Sequence, residues 1–135
     1  MVRYYLDTCI WLDYYEDRKD RFRPLGEWAL RFIKKAVSEE DIVIISNMVR
    51  EELRPKFTDE DIKRITGIVP RALLMDVRAT KEQAAEARRT AMMHEVPFAD
   101  ALHTIIARDH GATIITRDAH FHSLYPHVKK PEELL

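Results

Sequence analysis

The chain carries one cysteine, Cys9, so no intrachain disulfide can staple it, and a reducing compartment suits it. Its three glycines, Gly26, Gly67 and Gly111, stand far apart, which excludes a glycine-rich phosphate loop. No apolar run approaches membrane-spanning length, and no signal-peptide pattern precedes the first predicted strand. Charge of one sign is missing too. With 22 Lys and Arg against 23 Asp and Glu, the net charge is −1, so no overall basic field draws nucleic acid, and only a local patch could. Repeats, low-complexity tracts and linkers are absent. What is present is a 135-residue chain, 46% hydrophobic, which suits one domain over residues 1–135 and leaves no room for two. The expectation is a soluble, cytoplasmic protein.

The hydrophobic pattern alternates between two periods. VRYYL (2–6), DIVII (41–45), LLMDV (73–77) and ATII (112–115) read as short buried strands, with a fifth around Val128. Helices are predicted over 9–15, over 24–37, after a cap at Ser46 or Asn47, from Thr58 to near Gly67, over 81–94, and from Pro97 to just before Gly111. Leu25, Trp28, Ala29, Phe32, Ile33 and Ala36 make one inward stripe. Ala84, Ala87 and Ala91 predict a close approach of their helix to the sheet. Ile10, Trp11, Leu12, Tyr14 and Tyr15 occupy more than one side of their short helix, a surplus that predicts a subunit contact. In the helix after Pro97, Leu102, Ile105 and Ile106 form the apolar face, while Asp100, His103 and Ala107 share another. Strands alternating with helices predict an α/β domain, with a central, mostly parallel sheet of four or five strands and helices on both faces.

In such a sheet the carboxyl ends of the strands share one rim, where ligands of open α/β folds bind. Asp7 follows the first strand and Asp118 the strand at 112–115. Asp100 opens the helix between them in space, and Glu52 lies on the early turns of the helix after the second strand. Each acid has an ordinary explanation: a cap, a turn acid, a first-turn acid, a wet helix face. Gathered at one rim they repel, and keeping several ionised requires a divalent cation. Hard oxygen ligands suit Mg²⁺ or Mn²⁺, which orient and neutralise phosphates while activating water. Ser46 and Thr116 supply nearby hydroxyls.

The segments YLDTCIWLD (5–13), ISNMVREEL (45–53), ADALHTIIARDHGATIITRDAHF (99–121) and the closing VKKPEEL together resemble PIN-domain ribonucleases, and more narrowly the VapC-type toxins. No single fragment is specific; their order and spacing are. The resemblance spans essentially the whole domain and implies a three-layer α/β/α sandwich. It also implies a divalent-metal-dependent endoribonuclease, in which a metal-activated water attacks the phosphodiester in line with the departing 3′ oxygen. By its motifs, Asp7, Asp100 and Asp118 are the metal ligands. Glu52 completes the catalytic set by orienting metal-bound water or a second ion, and adjacent Glu51 takes that place if the helix register slips by one. His103, one turn beyond Asp100, reads as support rather than as a general base. The family's usual DTN start is DTC here, so Cys9 replaces an asparagine and leaves every carboxylate in place. The partners implied are RNA, a second copy in a homodimer, and a small antitoxin that covers the acidic groove; no membrane is involved.

Three alternatives stand beside this reading. His103, Asp118, His120 and His122 suggest a histidine-assisted transition-metal hydrolase, though no third firm histidine accompanies the His-x-His turn. A phosphoryl-transfer enzyme using Asp7 as nucleophile would want an acid two residues on, where Cys9 stands. A non-catalytic RNA-binding or scaffold protein can use the same fold.

Overall fold

The computed structural model describes residues 1–135. Its strands are β1 (Arg3–Leu6), β2 (Ile42–Ser46), β3 (Leu74–Val77), β4 (Thr113–Ile115) and β5 (Val128–Lys129). Its helices are α1 (Thr8–Tyr15), α2 (Leu25–Ser38), α3 (Asn47–Leu53), α4 (Asp59–Thr66), α5 (Lys81–His94) and α6 (Phe98–Asp109). All five strands are parallel, in the order β3-β2-β1-β4-β5. The earliest strand is therefore central: Tyr5 lies opposite Ile44 on one side and Ile114 on the other.

The two faces are separated by the two-residue period of β1. Tyr4 points to α2, where its ring meets Phe32 edge-on at 5.0 Å between centroids. Tyr5 points the other way and meets the His103 ring of α6 at 5.6 Å. Helices thus cover both faces of the sheet, giving the three-layer α/β/α sandwich. The capping chemistry read from the sequence holds: Thr58 with Asp61 and Thr80 with Gln83 form reciprocal capping boxes, and Ser46 caps α3. Gly111 adopts φ 61°, the left-handed conformation that lets the chain leave α6 and enter β4.

Three expectations are corrected. Trp11 is fully buried, as is Ile10, because α1 packs directly on α2. A Cβ on Gly26 would stand 2.6 Å from the Asp13 carbonyl oxygen, so the glycine permits this close crossing. Tyr15 is covered in part by Phe57, edge-on at 5.7 Å, and the aromatic surplus of α1 is satisfied inside the chain. Second, α5 lies against α6 instead of the sheet, and of its three spaced alanines only Ala87 is fully buried. Third, α6 is not two-faced. Enclosed by the sheet and α5, it buries every residue from Ala101 to Ala107, His103 included. The large apolar side chains that remain most exposed are Phe22, Met1, Met92 and Met93. No helix is long and apolar enough to cross a membrane.

Candidate active site

The junction of β1 and β4 builds the first half of the site. The Asp7 amide donates to the Ile115 carbonyl at 3.0 Å, continuing the ladder one residue past the strands. Asp7 then caps α1: its Oδ1 accepts from the Thr8 amide at 2.8 Å. Its Oδ2 accepts from the Thr116 hydroxyl at 2.7 Å, and the same hydroxyl oxygen accepts from the Asp118 amide at 3.0 Å. Thr116, itself buried, therefore ties the two acids of adjacent strand ends together. Asp118 caps the short 3₁₀ turn at 119–123, accepting from the His120 amide at 2.9 Å. Asp100, in the first turn of α6, comes to the same place: one ligand atom each from Asp100, Asp118 and His120 lies within 4.8 Å of the others. Burial pushes the Asp100 carboxyl above its usual range, and the charges of Asp118 and Asp7 push it further, against the pull of His103 and His120. No lysine or arginine pairs with any of these three acids.

Glu52 forms the second half. Within α3 the neighbouring glutamates part company: Glu51 points outward to an ion pair with Arg54, whereas Glu52 turns in and accepts a hydrogen bond from His103 Nε2. Of the two glutamates, Glu52 is the one on the His103 side of the helix. Burial raises its carboxyl, but hydrogen bonding, first of all from His103, outweighs this and holds it below the usual range. The other ring nitrogen of His103, Nδ1, is 2.5 Å from the Tyr5 hydroxyl, which is 2.7 Å from Ser46 Oγ. Tyr5 was not legible as a site feature, and His120, named with Asp118 only for a histidine-assisted hydrolase, stands beside Asp100 as well. The available signal was polar atoms at positions the pattern buries: Tyr5 on the central strand, Ser46 at the end of β2, His103 inside α6.

Two alternatives lose ground. Cys9 lies 3.5 Å from Asp7 Oδ2, but burial and then the Asp7 charge push its thiol up to about 12, so it remains protonated at neutral pH. His122 does not join the cluster formed by Asp100, Asp118 and His120, so no multi-histidine ligand set assembles.

The back of the same loop is different. Between Thr116 and Asp118, Arg117 points away from the rim and donates to Asp13 at 2.9 Å and to Glu132 at 3.0 Å. Its guanidinium stands 5.8 Å from the Trp28 ring centre.

The chain is thus an all-parallel α/β sandwich with acidic side chains at the carboxyl rim of its sheet. The family model for the PIN domain matches residues 4–125, and the chain belongs to the PIN-domain family. No curated protein matches it in sequence. Solved structures do match in fold. A toxin–antitoxin complex from Klebsiella pneumoniae is 17% identical with a TM-score of 0.66, over 94% of this chain and 96% of that one. VapC20 from Mycobacterium tuberculosis, a toxin cleaving the sarcin–ricin loop, is 17% identical with a TM-score of 0.65, over 90% and 94%. VapBC2 from Rickettsia felis, bound to a promoter DNA fragment, is 16% identical with a TM-score of 0.67, over 96% and 98%.

Proposed function

We propose that this chain is a divalent-metal-dependent endoribonuclease and the toxin component of a VapC-type toxin–antitoxin pair. The observation that carries the reading is the acid cluster itself. Asp100 and Asp118 approach within ligand distance beside Asp7, no lysine or arginine compensates them, and burial together with the neighbouring acids pushes the Asp100 carboxyl up. An all-carboxylate set of this kind fits Mg²⁺ or Mn²⁺, with His120 as the one nitrogen donor in reach. Asp7, Asp100 and Asp118 would hold the ion. When bound, it supplies charge neutralisation for the scissile phosphate and a more acidic water.

The chain's own residues do the remainder. The Thr116 hydroxyl is spent on Asp7, so it fixes that carboxylate's rotamer and does not reach for phosphate. Glu52 keeps Oε2 free of the His103 bond, and that oxygen accepts a hydrogen bond from the attacking water, orienting it towards phosphorus. The structural relatives support the toxin assignment, since they include toxin–antitoxin complexes and a toxin that cleaves RNA. By the same reading a small antitoxin covers the groove in the cytoplasm. The chain pairs as a homodimer, for which exposed Met92 and Met93 on α5 supply apolar surface.

The test is cleavage of labelled RNA, against matched single-stranded DNA, by metal-stripped protein with Mg²⁺ or Mn²⁺ restored. Metal-dependent RNA scission that disappears in Asp118→Asn is the expected result. Scission that survives Asp118→Asn defeats the reading by pointing to a different site or a contaminating nuclease; absence of metal uptake by calorimetry, with the fold intact, defeats it in favour of a non-catalytic RNA-binding or scaffold role.

A further inference from the structure

Glu52 is held at the rim in a different way from the two acids that follow strands β1 and β4. Asp7 and Asp118 are pinned as caps by amides one and two residues away. Glu52 instead meets His103, which is buried, from a different helix. Behind His103 the polar chain continues through Tyr5 on β1 to Ser46 at the end of β2, both fully buried. A buried polar chain of this length costs stability unless every donor finds an acceptor, so the hydrogens can be assigned by satisfaction alone.

A carboxylate only accepts, so His103 Nε2 carries a hydrogen and donates it to Glu52. At the far end, Ser46 Oγ accepts from the Val49 amide at 3.2 Å, as the cap of α3. The Ser46 hydroxyl hydrogen then has one place to go, the Tyr5 oxygen. The Tyr5 phenol, fully buried, gives its hydrogen to His103 Nδ1, 2.5 Å away. Run the other way, with Nδ1 donating to Tyr5 and Tyr5 to Ser46, the Ser46 hydroxyl hydrogen is left buried without an acceptor. The chain is satisfied in one direction.

We propose that Ser46, Tyr5 and His103 form a one-directional hydrogen-bond chain that makes His103 the positioning residue for Glu52, aiming its carboxylate at the rim. The chain starts at the N-cap of α3 and returns to Glu52 on that same helix, through β1 and α6. Glu52 is thereby referenced to the central strand that also delivers Asp7, although its own helix is only seven residues long. The role in catalysis rests on the nuclease reading above; the direction of the chain does not.

The first test is therefore independent of activity. In metal-free protein labelled with ¹⁵N-histidine, long-range ¹H–¹⁵N correlation spectra should show His103 as the Nε2–H tautomer. Tyr5→Phe, which removes one oxygen at nearly constant volume, should redistribute that tautomer. An Nδ1–H ring in the parent chain, or a ring unaffected by Tyr5→Phe, overturns the proposal. The second test is kinetic, on RNA with Mn²⁺. His103→Leu should lower kcat by about 10- to 100-fold with KM nearly unchanged, as loss of an orienting partner does. His103→Gln, whose amide nitrogen can replace Nε2 as donor, should recover most of the loss. The double variant Glu52→Gln/His103→Leu should be no slower than the slower single variant. Fully additive losses, or equal defects in His103→Leu and His103→Gln, overturn the positioning role. A parent chain that cleaves no RNA defeats the nuclease reading instead, and the ring tautomer still decides the chain.

Discussion

Two acid clusters sit back to back on the loop that follows β4, and they solve the same problem in opposite ways. On the inner side Arg117 bridges Asp13 and Glu132, with Arg18 a further 3.9 Å from Asp13. On the rim, Asp7, Asp100 and Asp118 come together with no lysine or arginine at all. Burial penalises a carboxylate in both places, but only the inner cluster answers it with a cation of the protein. Glu132 is accordingly pushed up by burial yet brought below its usual value by Arg117, whereas Asp100 is left above. Alternate residues of one turn, Thr116, Arg117 and Asp118, divide these tasks: the outer two organise a site and the middle one closes a core. Compensated charge is structure; uncompensated charge is the mark of a ligand still to come.

The largest effects should separate the clusters by kind of damage. Asp7→Asn, Asp100→Asn and Asp118→Asn should each cut metal-dependent RNA cleavage by more than about 100-fold, with thermal stability equal to or above that of the parent chain. Arg117→Ala should do the reverse to the fold, costing about 3 kcal/mol in urea unfolding. It strands two carboxylates, one of them buried and the other only partly exposed. An Asp118→Asn chain that unfolds as readily as Arg117→Ala would erase the contrast.

Next in size is linkage to the ion. Metal-stripped protein should gain about 2.7 kcal/mol when Mn²⁺ is raised to 100 times its dissociation constant, and Asp100→Asn should lose most of that increment. The Arg117 cluster should contribute none of it, so Arg117→Lys should keep the increment while lowering the baseline.

The pH dependence sharpens the comparison further, because the slopes have opposite sign. Glu132, depressed in the folded chain, stabilises fully above its ordinary value of 4.5, and the contribution fades as pH falls through its lowered folded value. Asp100, raised in the folded chain, binds its proton more tightly than the unfolded chain does. Without metal it therefore opposes folding increasingly as pH climbs from its ordinary value of 3.8 through its folded one. Stability measured in chelator against pH should flatten on the acid side in Glu132→Gln and rise at neutral pH in Asp100→Asn. The smallest effect is the control: Glu51→Gln breaks only the exposed pair with Arg54 and should change stability by less than about 0.5 kcal/mol and cleavage not at all.

Much of this was legible from local pattern. Strands, caps and the left-handed Gly111 are set by residues within a few positions of one another, and the rim location of Asp7 and Asp118 follows from strand order and direction. The failures share one physical source, the third dimension of packing. Trp11 looked surplus because a helix wheel cannot show that α2 crosses it at Gly26. His103 looked like a polar face because periodicity cannot know that α5 seals the outer side of α6. The choice between Glu51 and Glu52 needed His103 in place, and Arg117 gave no sign of its partners because Asp13 and Glu132 lie 104 and 15 residues away.

The strand order also has a temporal consequence. The hydrogen bond from Thr116 to Asp7 spans 109 residues, and the partner strand β4 follows its central neighbour β1 by almost the whole chain. During synthesis β1 thus has β2 available to pair on one edge, while the other edge stays vacant until β4 has been made. The acids cannot converge earlier, since Asp118 follows β4. Contacts this distant in sequence slow folding, and convergence of the acids has to wait for β4 to pair with β1. A chain that stops short of β4 therefore lacks both Thr116 and Asp118, and Asp7 loses the hydroxyl that holds its carboxylate.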